Sequence, residues 1–234
     1  MTLVLVVRHG LTAATGTALT GRTPGIPLDD RGRGQAAAIA SRLADVRLDA
    51  IVSSPIQRCA ETAQVIADAQ RPAGQQVQTE DRLTECGYGD WTGQPLRKLA
   101  RDPLWRVVQQ HPSAVTFPGA GGERMADVQQ RAVAAVRDWN ARLGPKAVYL
   151  ICSHGDVIKA ILADSLGLHL DLYQRIGIDP CSLSVIRYTP LRPFVERLND
   201  TGGSVRALTR PEKTPAEASA LRSGDAPVGG GAGG

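Results

Sequence analysis

Leu3-Val4-Leu5-Val6-Val7-Arg8-His9-Gly10 is the stretch on which the fold turns. Five apolar residues in a row read as a strand buried on both faces, because a half-exposed strand alternates apolar with polar. The run then stops on a guanidinium, an imidazole and a glycine, so reactive side chains stand at the strand's carboxyl end. The pattern recurs late in the chain, where Ala147–Cys152 runs into Ser153-His154-Gly155. Between them Ala50–Val52 predicts a short strand. Ser53-Ser54-Pro55 then predicts a turn into a helix, with Ser54 as N-cap and Pro55 at the first helical position.

Working outward, Gly10–Pro27 reads as an irregular loop. Asp29 or Asp30 caps a helix over Arg31–Ala44, and the helix after Ser54 runs to about Ala69. Arg71–Gln76 is a turn-rich break, Val77–Thr79 a third strand and Leu83–Gly93 a loop. Leu96–Gln110 holds short helices broken at Pro103, and Val115–Gly122 is a loop. Arg124–Leu143 is a long amphipathic helix ended by Gly144-Pro145, and Asp156–Gly167 is another helix. Leu183–Tyr188 and Phe194–Leu198 form a hairpin around Pro190–Pro193. Strands alternating with helices predict an α/β fold: a three-layer αβα sandwich around a mostly parallel sheet. Residues 1–200 make one domain. Residues 201–234 are rich in Gly, Ala and Pro and lack aromatics, and they are expected to form a disordered tail.

The composition closes off other classes. Of 234 residues, 42% are hydrophobic and 21% charged, ordinary globular usage. Apolar runs of five or six residues fall far short of the ~20 needed to cross a bilayer, and no basic-apolar leader opens the chain, so a cytoplasmic location with no membrane partner is expected. The net charge is +4, but the arginines are scattered and no basic stripe is interleaved with aromatics, so nucleic acid is not an expected partner. Cys59, Cys86, Cys152 and Cys181 lack the spacing of a zinc site, so neither a metal nor another cofactor is expected.

Ligands of open α/β sheets collect beyond the carboxyl ends of the strands. Arg8 and His9, Arg58 in the helix after the second strand, and His154 are all delivered to that rim, within reach of Glu85. Two guanidiniums and an imidazolium, helped by a helix amino end, make a cup for a phosphoryl group. A neutral imidazole in the cup can attack phosphorus, the cations stabilise the charge spread over the equatorial oxygens, and a carboxyl with raised pKa can protonate the departing alkoxide.

Four segments carry a resemblance. Arg8-His9-Gly10-Leu11-Thr12 resembles the R-H-G-x-T opening of the histidine phosphatase superfamily, the phosphoglycerate-mutase-like fold. Ser53-Ser54-Pro55-Ile56-Gln57-Arg58-Cys59-Ala60-Glu61-Thr62-Ala63 resembles its S-S-P-x-x-R-x-x-E/Q-T-A segment. Leu83–Gly93 is similar to its L-x-E-x-x-x-G-x-W-x-G loop, and Ser153–Ile158 to its late S-H-G-x-x-I segment. The resemblance implies that His9 is the phosphorylated nucleophile and that Arg8, Arg58 and His154 complete the phosphate pocket. It makes Glu85 the proton donor and then the base for water, with Asp90 the other local carboxylate. Leu11 stands where many members carry Glu. Thr15 stands where many carry an Asn that helps hold phosphate, and it is taken here as the phosphate-binding counterpart. Gly121-Gly122-Glu123-Arg124 resembles a G-G-E-S segment with Arg for Ser. Gln94–Thr116 is short for the extended substrate loop of cofactor-dependent mutases, which tilts the expectation toward the phosphatase branch.

The expected function is therefore metal-independent hydrolysis of a small-molecule phosphomonoester. The alternatives are a phosphomutase of the phosphoglycerate-mutase type and a non-catalytic anion-sensing module of the same fold. A homodimer through an edge strand stays open. His111 and His169 match no segment and are read as surface residues, Cys152 as a core residue, and Trp91 as packing more than pocket wall.

Overall fold

The computed structural model describes residues 1–70 and 75–202. Strand β1 (Thr2–Arg8) is its central element, with Val4, Val6 and Val7 wholly buried. Beside it lie β2 (Ala50–Ser53), β3 (Val77–Thr79), β4 (Val148–Ser153), β5 (Leu183–Tyr188) and β6 (Pro193–Asp200), in the spatial order β3-β2-β4-β1-β5-β6. The β3–β2, β2–β4 and β4–β1 pairings are parallel, while β1–β5 and β5–β6 are antiparallel. The sheet is thus mostly parallel, with the expected hairpin closing one edge.

The described residues form six α-helices, α1 (Asp30–Leu43), α2 (Gln57–Ala69), α3 (Leu96–Leu99), α4 (Pro103–Gln110), α5 (Met125–Leu143) and α6 (Gly155–Leu166), of which α1 and α2 cover one face of the sheet and α5 and α6 the other. Successive side chains on a strand point to opposite faces, so β1 serves two cores at once. Leu5 and Val7 join Ile51, Leu150 and Cys152 beneath Ile39 and Leu43 of α1 and Ala63 and Ile66 of α2. Val4 and Val6 join Val52, Tyr149 and Ile151 beneath Val128 and Val136 of α5 and Val157 and Ile161 of α6. The result is the three-layer sandwich, and each fully buried aliphatic side chain adds about 1.5–3 kcal/mol of transfer free energy. The few aromatics concentrate in the second core, where Trp91 stacks near Trp105 and meets Phe117 edge-on.

Local signals explain most boundaries. The Asp29 carboxylate accepts from the Gly32 N–H and caps α1, while Asp102 caps α4 with Pro103 at its first position. Helix α6 ends on Gly167 in the left-handed conformation, which glycine adopts at no steric cost. The loop expected over Leu83–Gly93 contains a 3-10 turn at Gly89–Trp91, and another turn, Asp81–Leu83, leads into it. The Ser54 cap is corrected: α2 starts at Gln57, its cap position is Ile56, and no side chain caps it. The Ser54 hydroxyl is instead turned to His154, a partner 100 positions away that no local rule reveals. The predicted break at Arg71–Gln76 lies mostly outside the described residues, and so does nearly all of the predicted tail. Among the described residues no helix is long and apolar enough to cross a membrane.

Candidate active site

Parallel register brings the distant segments together. Arg8 of β1 is paired with Ser153 of β4, so the residues that follow, His9 and His154, leave the sheet side by side. Their rings lie 5.3 Å apart, edge to face, at 63°. On the far side of β4, Ser53 pairs with Cys152, which sets the turn into α2 beside His154 and delivers Arg58 in the first turn of that helix.

Arg58 is the hub. Its Nε donates to His9 Nε2 (3.1 Å), and its Nη2 donates to His154 Nδ1 (3.2 Å) and to the Gly21 carbonyl (2.8 Å). Arg8, 1% exposed, donates from Nη1 to the Ile178 carbonyl at 2.8 Å, so its planar fork is anchored by backbone at the floor of the cleft. Arg8, His9, Arg58 and Glu85 line a narrow cleft of about 30 Å3, together with Thr12, Thr15 and Tyr88.

Partner chemistry fixes the tautomers. His9 Nδ1 lies 2.7 Å from the Gly10 carbonyl, which only accepts, so Nδ1 carries the proton. Nε2, the acceptor of the Arg58 bond, keeps its lone pair toward the cleft. Burial, then the charges of Arg58 and Arg8, hold His9 well below the ordinary imidazole range, against the raising effect of the Gly10 bond. The ring is neutral at physiological pH, as a nucleophile requires.

In His154, Nδ1 accepts from Arg58, so Nε2–H donates to Ser54 Oγ at 2.8 Å. Burial and the same guanidiniums hold this ring too well below its ordinary value. The imidazolium expected from sequence is corrected: two cations in a desolvated cup leave no place for a third until an anion enters. The positive charge is supplied by Arg8 and Arg58.

Glu85 is 3% exposed. Its Oε1 accepts from the Cys86 N–H at 3.0 Å, and its Oε2 lies 3.8 Å from His154 Nδ1. With the imidazole neutral this approach is a contact rather than an ion pair. Burial, followed by the Asp156 carboxylate, pushes Glu85 up to about 7, against the opposing pull of Arg58 and Arg8. A carboxyl poised there can give a proton near neutral pH and take one back.

The structure separates the two carboxylate candidates. Glu85 lines the cleft, whereas the Asp90 carboxylate is packed against Gly119, so close that a Cβ there would lie 1.9 Å from its Oδ1. Thr15 lines the cleft, but its hydroxyl oxygen accepts from the Thr12 N–H (3.0 Å) and lies 2.9 Å from Thr12 Oγ1, closing its own turn. Trp91 belongs to the core, and His111 and His169 stand on the surface, each near Asp171. Cys59 Sγ comes within 3.4 Å of His154 Nε2 as a buried wall of that ring.

Four contributors escaped the sequence reading: Ser54, which orients His154; Gly21, whose carbonyl holds Arg58; Thr62, whose Oγ1 accepts from the Gly10 N–H at 3.1 Å; and Asp156, which accepts from Tyr88 Oη at 2.8 Å. Thr62 and Asp156 sit inside motif segments, a signal that was present, while Gly21 has none beyond its Gly-rich loop.

Residues 4–201 match the sequence profile of the histidine phosphatase superfamily, branch 1. The chain belongs to this superfamily. A phosphoserine phosphatase 1 of Hydrogenobacter thermophilus is 31% identical over 208 residues, covering 86% of this chain and 93% of its own. A probable phosphoglycerate mutase of Yersinia enterocolitica is 30% identical over 190 residues, covering 80% and 86%. A mycobacterial glucosyl-3-phosphoglycerate phosphatase solved with VO3 superposes with a TM-score of 0.72 at 26% identity, over 85% of this chain and 98% of its own. Histidine phosphatase relatives are thus enzymes acting on phosphate compounds, and hydrolysis of a phosphomonoester through a histidine fits this site.

Proposed function

We propose that the protein is a metal-independent phosphomonoesterase in which His9 is the nucleophile and Glu85 the general acid and base. One observation carries the assignment: His9 Nδ1–H is tied to the Gly10 carbonyl while Nε2 faces Arg58 in the cleft. The phosphoryl oxygens of an entering substrate take over the Arg58 N–H groups, which leaves the Nε2 lone pair facing phosphorus. Nε2 forms the P–N bond as the P–O bond to the leaving group breaks, and Glu85 passes its proton to the departing oxygen. The Glu85 carboxylate then takes a proton from water as that oxygen attacks phosphorus, the P–N pair returns to Nε2, and orthophosphate leaves. Arg8 and Arg58 hold the transferring oxygens, His154 joins them as the entering anion lets its Nδ1 take up a proton, and Thr15 completes the wall. Preorganised donors of this kind act strongly in a water-poor cup.

The substrate is a small-molecule phosphomonoester. Phosphorylated three-carbon acids are the class we put first, a reading supported by the names of a phosphoserine phosphatase and a probable phosphoglycerate mutase among the relatives. Buried free thiols at Cys59, Cys86, Cys152 and Cys181 accord with a reducing compartment and support a cytoplasmic location.

The test is to label the enzyme with a phosphorylated substrate and quench it. An acid-labile, base-stable phosphoryl group is expected on wild type and none on His9→Ala, with turnover unaffected by EDTA and blocked by vanadate. Turnover retained by His9→Ala refutes the mechanism. Isomer formation from 3-phosphoglycerate with a bisphosphoglycerate primer, without phosphate release, assigns the protein to the mutases instead.

A further inference from the structure

The Glu85 carboxyl takes its orientation from its own loop, since Oε1 accepts from the N–H of the next residue, Cys86. Whatever holds that backbone therefore holds the acid. The Glu85 carbonyl accepts from two guanidiniums, Arg22 Nε at 2.8 Å and Arg131 Nη2 at 3.1 Å. Arg131, reaching in from α5, also donates from Nη1 to the carbonyls of Arg82 (2.6 Å) and Thr84 (2.8 Å). Glu123 joins the two cations. Its Oε1 accepts from Arg131 Nε (2.8 Å), and its Oε2 accepts from Arg22 Nη2 (2.7 Å), Arg131 Nη2 (3.1 Å) and the Gly87 N–H (2.8 Å). The Glu123 N–H in turn donates to the Gly87 carbonyl at 2.8 Å. Side-chain exposure is 17% for Arg131 and 21% for Glu123, so this pair is the largely desolvated, multiply bonded centre of the network, with Arg22 at its exposed edge.

We propose that Glu123, Arg131 and Arg22 form a positioning set that fixes the height and angle of the Glu85 carboxyl over the leaving-group oxygen. None of the three lines the cleft, so the set acts only through the 82–87 backbone. Arg22 adds a second link. It follows Gly21, whose carbonyl holds Arg58, so one residue ties the acid loop to the wall that orients the phosphate clamp. Proton transfer demands heavy-atom approach within ~2.6–3.2 Å, and a loop set free by an ångström or so loses much of the acid's contribution.

The inference rests on Glu85 being the general acid, and the experiment separates the two. Phenyl phosphate and 4-nitrophenyl phosphate differ little in shape but greatly in leaving-group basicity, so only the first needs a proton donor. In this two-step reaction kcat/KM reports the phosphoryl-transfer step alone. Glu123→Ala and Arg22→Ala are expected to lower kcat/KM for phenyl phosphate by roughly 10- to 100-fold, part of the ~10²–10⁴ that a general acid supplies. For 4-nitrophenyl phosphate the loss stays within about 3-fold, vanadate inhibition is unchanged, and Glu123→Gln recovers part of the loss. Equal losses on both substrates, or none on either, overturn the positioning set. A Glu85→Gln control that shows the gap while Glu123→Ala and Arg22→Ala do not removes this inference alone. A control without the gap removes the acid assignment beneath it. Should Glu123→Ala fail to fold, Arg22→Ala decides, because Arg22 is 42% exposed on a loop.

Discussion

Replacing Glu85 with Gln removes a titrating charge and almost nothing of the shape, so it isolates the energetic cost of placing an acid in the cup. Burial and the Asp156 carboxylate raise this group from its ordinary 4.5 to about 7. A carboxyl with raised folded-state pKa contributes fully to stability below its unfolded value and loses that contribution as pH rises through the folded value. Above pH 7 the folded protein is forced to hold a carboxylate it disfavours, at a cost approaching about 3 kcal/mol for a shift of this size. At pH 5.5 the cost is only roughly 1 kcal/mol, because the unfolded chain is already ionised while the folded one still binds the proton. Gln has no such dependence. Urea unfolding of both proteins at pH 5.5 and 8.5 should therefore show Glu85→Gln gaining about 2 kcal/mol on wild type between the two pH values, while its activity collapses. A gap that does not change with pH, or that closes at pH 8.5, refutes the reasoning.

Three further outcomes are expected. Asp156→Asn removes the like charge that helps keep Glu85 protonated, so the alkaline fall of kcat/KM should move to lower pH, while Asn still accepts the Tyr88 hydroxyl; a limb that stays put or moves up contradicts the assignment. Arg58→Lys keeps one charge but cannot reach His9, His154 and Gly21 together, and kcat/KM should fall by roughly 10²–10³-fold in steady-state assays. Gly32→Ala places a Cβ 2.0 Å from the Leu11 carbonyl oxygen, at the root of the cleft loop. The forced backbone shift should cost about 1–3 kcal/mol and lower the melting temperature by roughly 2–12 °C in a thermal scan.

Much of this site is legible because the chain announces strand ends. The buried runs Leu3–Val7 and Ala147–Cys152 could only be interior strands, and the residues just past them had to reach one rim. Arg58 followed from its place one strand and one turn away. The hairpin Leu183–Leu198 and the break at Pro103 were equally plain, since proline and alternating β-branched residues act locally. Ser54 misled for the opposite reason: a serine before a proline is a sound local cap, yet its hydroxyl is claimed by His154 from another strand.

The one-dimensional pattern determined the layers, the rim and the reactive groups, because burial periodicity and turn chemistry are properties of neighbours along the chain. Only the tertiary structure decided their electrical state and tilt: that both imidazoles are neutral, that Glu85 rather than Asp90 faces them, and that Arg22, Glu123 and Arg131 grip the acid loop. Those depend on desolvation and Coulomb interaction, which follow distance through space and are blind to separation in sequence.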